Sequence, residues 1–219
     1  MTEHHLSVQR TARYYTLGTL TDQTTHIWFC LHGFGQLASF FSKKFTGLDN
    51  GKTLVVVPEG LSRLYLNGKY ERVGASWITR EDKQHEIHDF VAYLNTLYEI
   101  ILDGRDPNLF HITLLGFSQG AATACRWLDG NGMNSIHVDR LILWAGFFSN
   151  GIGDLIDPEK LKDVETHYVY GAQDEFLALI KDIDAYKARL LFDVPNLKTT
   201  VFEGGHRVEP SVLANLIAT

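Results

Sequence analysis

The stretch FHITLLGFSQGAATACRWL, residues 110–128, constrains the fold of this chain more than any other. β-Branched and apolar residues run into Gly116-Phe117-Ser118-Gln119-Gly120, and an amphipathic run of small residues begins at once. That order reads as a buried strand turning straight into a helix around a single serine. A serine on so sharp a turn is exposed at the sheet edge, and side chains at the flanking positions would collide with the neighbouring strand and helix. Gly116 and Gly120 remove those side chains, and Ala121, Ala122 and Cys125 are small enough to bring the helix close to the sheet.

The rest of the chain repeats the alternation. Strand-like runs lie at 12–17, 27–31, 53–57, 112–115, 140–144, 167–170 and 198–202, several of them continuously apolar, as a sheet covered on both faces requires. Helical patterns lie between them at 37–45, 121–128, 175–192 and 210–217. The clearest starts after Thr79, where Thr79 and Asp82 have capping-box spacing. Its stripe is Ile87, Phe90, Val91, Leu94, Tyr98 and Ile101, and Asp103-Gly104 and Asp106-Pro107 stop it. Strands alternating with helices imply an α/β fold with a mostly parallel central sheet and helices on both faces, where ligands bind at the carboxyl ends of the strands. With 219 residues and neither repeats nor a linker, one domain over 1–219 is expected.

Charge narrows the partners. The 20 Lys+Arg and 26 Asp+Glu give a net charge of -6 without a basic stripe, which argues against nucleic acid as a partner. No window approaches a membrane span, and the first twenty residues lack a signal-peptide apolar core, so a cytoplasmic location is expected. The two cysteines, Cys30 in a strand and Cys125 in a helix, read as buried reduced thiols.

A serine hydroxyl attacks only when a base takes its proton, and the base needs an acid to orient it. Of ten histidines, His4 and His5 lie in the terminus, and His26, His111, His137 and His167 stand at or before strand starts, the wrong end of the sheet. His85 and His88 read as a solvated helix face, since no H-E-x-x-H is present. His206 remains, in VFEGGHRVEP just past the last strand, and it stands last in the order Ser, acid, His. For the acid, Asp174 follows the penultimate strand in THYVYGAQDEF; position favours it over Glu175 and Glu203. The oxyanion that develops on attack needs preorganised N–H groups, for which Gln119 and Phe34, the latter between Gly33 and Gly35 of CLHGFGQLASF, are the candidates. His32 beside them reads as a structural hydrogen-bonding residue.

The same loop offers a second reading. Gly33-x-Gly35-x-x-Ala38 fits a dinucleotide fingerprint, and Glu59 ends the next strand about where a ribose-binding acid would lie. A dinucleotide-binding oxidoreductase leaves Ser118, Asp174 and His206 unexplained.

The segments LHGFG, GFSQGAA, YGAQDEF and GGH, together with Trp77 in GASWITRED, resemble the α/β-hydrolase superfamily, and within it the phospholipase/carboxylesterase group that includes acyl-protein thioesterases. The resemblance runs from about Trp28 to the C-terminus. It implies Ser118 as nucleophile, His206 as base, Asp174 as its partner, the Phe34 and Gln119 amides as oxyanion hole, an acyl ester or other small-molecule substrate, and no cofactor or metal. Trp77 lines the acyl site in this reading, or packs beneath the loop. Ile78-Thr79 and Ala145-Gly146 stand where the group often has an aspartate and a serine-glycine pair. A catalytically silent fold used for binding is the rival from another class.

Overall fold

The computed structural model describes residues 1–130 and 136–217. Seven strands form one sheet in the order β1 (Tyr14–Leu17), β3 (Thr53–Pro58), β2 (His26–Leu31), β6 (His111–Phe117), β7 (Arg140–Trp144), β8 (Glu165–Gly171) and β9 (Lys198–Phe202). Only β1 runs antiparallel to its neighbour; every other pairing in this sheet is parallel.

The continuous apolar runs have the cause expected of them. Along β2, Ile27, Phe29 and Leu31 pack into one core, and Trp28 and Cys30 into the other. Helices α2 (Lys83–Leu102), α3 (Gln119–Asp129) and α4 (Ile183–Asp193) cover the first face, with Phe90, Trp127 and Leu190 buried there. The second face is closed by the short α1 (Ala38–Phe41), a 3-10 segment over Ser42–Leu48, and α5 (Pro210–Ile217), through Phe41, Phe45 and Leu213. Cys30 and Cys125 are both free and buried, in opposite cores. No helix among the described residues is long and apolar enough to cross a membrane.

Local expectations fail at four places. The capping box at Thr79 and Asp82 does not form: the Thr79 amide and hydroxyl both donate to Glu86 (2.5 and 3.0 Å), Asp82 has φ 49°, and α2 starts at Lys83. The single helix expected over 175–192 is broken, because Asp182 accepts from the Ala185 amide (2.9 Å) and caps a new start, leaving only a 3-10 turn at Leu177–Leu179 before it. The helix expected over 37–45 is four residues of α1 running into 3-10 turns. Residues 58–82, to which the alternating pattern above assigns no strand, contain a separate antiparallel hairpin, β4 (Ser62–Tyr65) with β5 (Val73–Ser76).

Candidate active site

The turn between β6 and α3 explains its own sequence. A Cβ on Gly116 would lie 2.2 Å from the Gly120 carbonyl oxygen, and one on Gly120 would lie 2.3 Å from that of Leu31. Only hydrogen fits at either position. Ser118 between them has φ 54° and ψ -116°, a conformation an L-residue holds at a cost of order 1–3 kcal/mol. Its amide donates to Trp144 O (2.8 Å), and the first turn of the 11-residue α3 starts at the next residue, so the positive end of the helix faces the serine.

His206 and Asp174 arrive on adjacent loops. Parallel pairing of β8 with β9 continues past the strands through Ala172 N–H to Phe202 O (2.8 Å) and Gln173 N–H to Gly204 O (2.9 Å). Asp174, 2% exposed, then meets His206 with Oδ2 at 2.8 Å from Nδ1. Its Oδ1 accepts from the amides of Phe176 (3.0 Å) and Leu177 (3.4 Å), so both carboxylate oxygens are committed. Of the rival acids, Glu203 accepts instead from Gln173 Nε2 (2.7 Å), and Glu175 is exposed and starts no helix. The His206 ring makes tilted contacts with Phe176 (centroids 4.5 Å) and with Phe117 (4.9 Å), the residue before Ser118. No hydrogen bond joins Ser118 Oγ to His206 in this structure; such contacts often tighten only when substrate binds.

The loop after β2 is held from three sides. Gln36 folds back so that its Oε1 accepts from Gly33 N–H (2.9 Å), Gly35 N–H donates to Ala75 O (2.8 Å), and Ala75 N–H donates to Gln36 O (3.2 Å). Across the site, the Gln119 side chain accepts from Trp77 N–H (3.0 Å) and donates to Ile78 O (2.8 Å). The amides of Phe34 and Gln119 themselves are engaged by no described protein group. β5 and the two residues after it thus brace both candidate oxyanion donors, which the sequence reading missed because a four-residue strand of Val, Gly, Ala and Ser carries no long apolar run. Paired glutamines flanking the two glycine loops were the available signal.

His32 lies under this loop, fully buried, with Nδ1 donating to Gly33 O (2.7 Å) and Nε2 accepting from Gly60 N–H (2.9 Å). That pattern requires a neutral ring. Burial, partly opposed by the Gly33 carbonyl and the Glu59 carboxylate, lowers its pKa from 6.5 to about 4. The unfolded chain therefore binds the proton first as pH falls. Stability from this ring is complete above pH 6.5 and drains away at up to about 1.4 kcal/mol per pH unit towards pH 4. Urea unfolding at pH 7.5 and pH 5 should show wild type losing about 1–2 kcal/mol more than His32→Asn; equal losses would remove His32 as the cause.

Two residues singled out above are held by protein groups. Trp77 is 2% exposed, its indole N–H donates to His32 O (2.8 Å), and its ring packs on His32 and Phe90, contacts that favour the packing role over a wall of the acyl site. Trp77→Phe should keep the packing, leave a buried carbonyl unpaired at a cost of about 1–3 kcal/mol in urea unfolding, and leave the dependence of kcat/KM on acyl length unchanged. A flattened dependence would return Trp77 to the substrate. Glu59 is unavailable to a ribose: its buried carboxylate accepts from Arg13, Arg63 (2.9 Å) and the Ala38 amide (3.1 Å). The glycines of that loop serve β5, and the helix they open is only four residues long.

A mostly parallel sheet with helices on both faces and a strained strand-serine-helix turn at its carboxyl edge defines the α/β-hydrolase class. Within it the chain belongs to the serine hydrolase (FSH1) family, whose profile matches residues 23–212. Three solved structures show the same fold. Acyl-protein thioesterase 2 from Zea mays is 16% identical with a TM-score of 0.68, over 95% of this chain and 97% of its own. A carboxylesterase from Mesorhizobium loti is 18% identical with a TM-score of 0.67, over 94% of each. A phospholipase/carboxylesterase from Dyadobacter fermentans is 16% identical with a TM-score of 0.63, over 97% of this chain and 99% of its own. No curated protein matches the sequence.

Proposed function

We propose that this serine hydrolase cleaves carboxylic esters through an acyl-enzyme, with Ser118 as nucleophile, His206 as general base and Asp174 as its orienting acid. The observation that carries the reading is the Asp174 Oδ2 to His206 Nδ1 hydrogen bond, beside the Ser118 turn. Because Asp174 Oδ1 is occupied by two amides, Oδ2 faces only the imidazole, which fixes the proton on Nδ1 and leaves Nε2 free to accept one. Ser118 Oγ attacks the ester carbonyl as its proton passes to Nε2, and the amides of Phe34 and Gln119 stabilise the oxyanion. Collapse expels the alcohol, which takes the proton from His206. Water, deprotonated by the same nitrogen, then releases the acid and restores Ser118.

The names of the structural neighbours, esterase and thioesterase among them, agree with a small acyl ester or thioester as substrate and leave thioesterase and lysophospholipase activity within the reading. A fluorophosphonate probe should label wild type and not Ser118→Ala, after which a panel of two- to twelve-carbon acyl esters and thioesters defines the preference. Wild type that resists the probe under native conditions would return the chain to a silent hydrolase fold used for binding.

A further inference from the structure

The N-terminal arm does not hang free. It runs beside α2, forming one wall of a groove of about 860 Å³ with Leu6, Val8 and Tyr14 on the arm side and Tyr93, Leu97 and Ile100 on the helix. One end is fastened by the Tyr93 hydroxyl, which donates to Arg13 O (3.2 Å). At the other end the arm brings His5 to the start of α2, some eighty positions away in sequence, and a cluster forms that neither segment announces alone.

We propose that Glu3, His5, Asp82 and His85 bind a divalent transition metal of the zinc class and so clasp the arm to α2. His5 Nε2 lies 3.2 Å from Asp82 Oδ2 and 3.2 Å from Glu3 Oε1, and His85 Nδ1 lies 2.5 Å from Asp82 Oδ1. One donor atom each from His5, Asp82 and His85 all fall within 4.8 Å of one another. A tetrahedral zinc with bonds of 2.0–2.1 Å holds its ligands about 3.3 Å apart; His5, Asp82 and His85 reach that spacing by side-chain rotation, and Glu3, 3.2 Å from His5, swings in as the fourth donor. Imidazole nitrogen with carboxylate oxygen is a donor set that suits zinc, whereas calcium and magnesium prefer oxygen alone.

Charge supports the same occupant. The two imidazoles stack with centroids 4.1 Å apart, with the carboxylates of Asp82 and Glu3 beside them. A single dication satisfies both carboxylates and both rings, with zero net charge. Neighbouring groups do not compete: Glu86 is turned to Thr79, while His88 and Asp89 lie along the groove outside the cluster. The side chains of His5 and His85 are 46% and 56% exposed, so exchanging them leaves the core untouched.

Zinc titrated into the full chain against a chromophoric chelator should show one site in wild type. His5→Gln and His85→Gln should each weaken it at least tenfold, and His4→Gln and His88→Gln should leave it unchanged. Cobalt(II) in its place should give the intense visible bands of a tetrahedral ion, and zinc should slow tryptic cleavage after Arg10 in wild type but not in His85→Gln. Absence of saturable binding, or equal affinity in all four variants, overturns the proposal. Fluorophosphonate labelling of Ser118 should be indifferent to zinc and to chelator, which keeps this result separate from the catalytic reading.

Discussion

Ser118→Ala and His206→Ala should each lower kcat by about 10⁴-fold or more, and the double variant should be little worse than either. In the proposed triad a serine without its base and a base without its serine are equally idle, so the second loss removes nothing further. The structure makes the test clean. Neither side chain belongs to the two cores, and the backbone turn at 118 is dictated by the contacts of Gly116 and Gly120 rather than by the serine hydroxyl. Steady-state kinetics on a chromogenic ester, with circular dichroism for folding, measures it. Multiplicative losses in the double variant would mean that the two residues act in separate steps.

Asp174→Asn should be nearly as damaging, about 10⁴-fold in kcat, while the protein stays folded. The amides of Phe176 and Leu177 demand an acceptor at the position of Oδ1, so the asparagine oxygen must sit there and its NH₂ must face His206. That NH₂ donates, which forces Nδ1 of the imidazole to accept and moves the ring proton to Nε2. A ring protonated at Nε2 cannot take a proton from Ser118. Asp174→Ala, by contrast, should also lose stability, because two amides near a buried position lose their acceptor. Asn retaining wild-type kcat would show that the 2.8 Å contact holds the loop and nothing more.

What the sequence made legible follows from how local its causes are. The elbow at 116–120 was readable because a clash between two backbones leaves its mark on the same five residues that suffer it. Strands β6 and β7 and helix α5 were readable because burial on both faces, or a proline start, imposes a pattern within one segment. Asp174 and His206 could be placed at neighbouring strand ends without their contact being visible, since only pairing of β8 with β9 brings the loops together. The hairpin β4–β5 was hidden for the opposite reason: its purpose is carried by backbone hydrogen bonds to Gly35 and Gln36, which no side-chain pattern records. Trp77 stayed open between two roles because a large aromatic near a site looks the same in sequence whether it faces ligand or holds a carbonyl, and His5 could not be connected to His85 at all.

The bracing of the loop after β2 by β5 also sets where this protein can change. The register Gln36 with Ala75 sits at the base of the hairpin, while the tip carries the exposed Tyr70 and the edge-to-face pair Tyr65 and Tyr70, centroids 5.0 Å apart. Loop tips tolerate insertions that strand registers do not. Descendants of this chain therefore have a hinge-free lever at their disposal: residues can be added or exchanged beyond Leu66, whose side chain abuts Gly35, without shifting Ala75, so diversification can proceed at the tip while the proposed oxyanion donors keep their places.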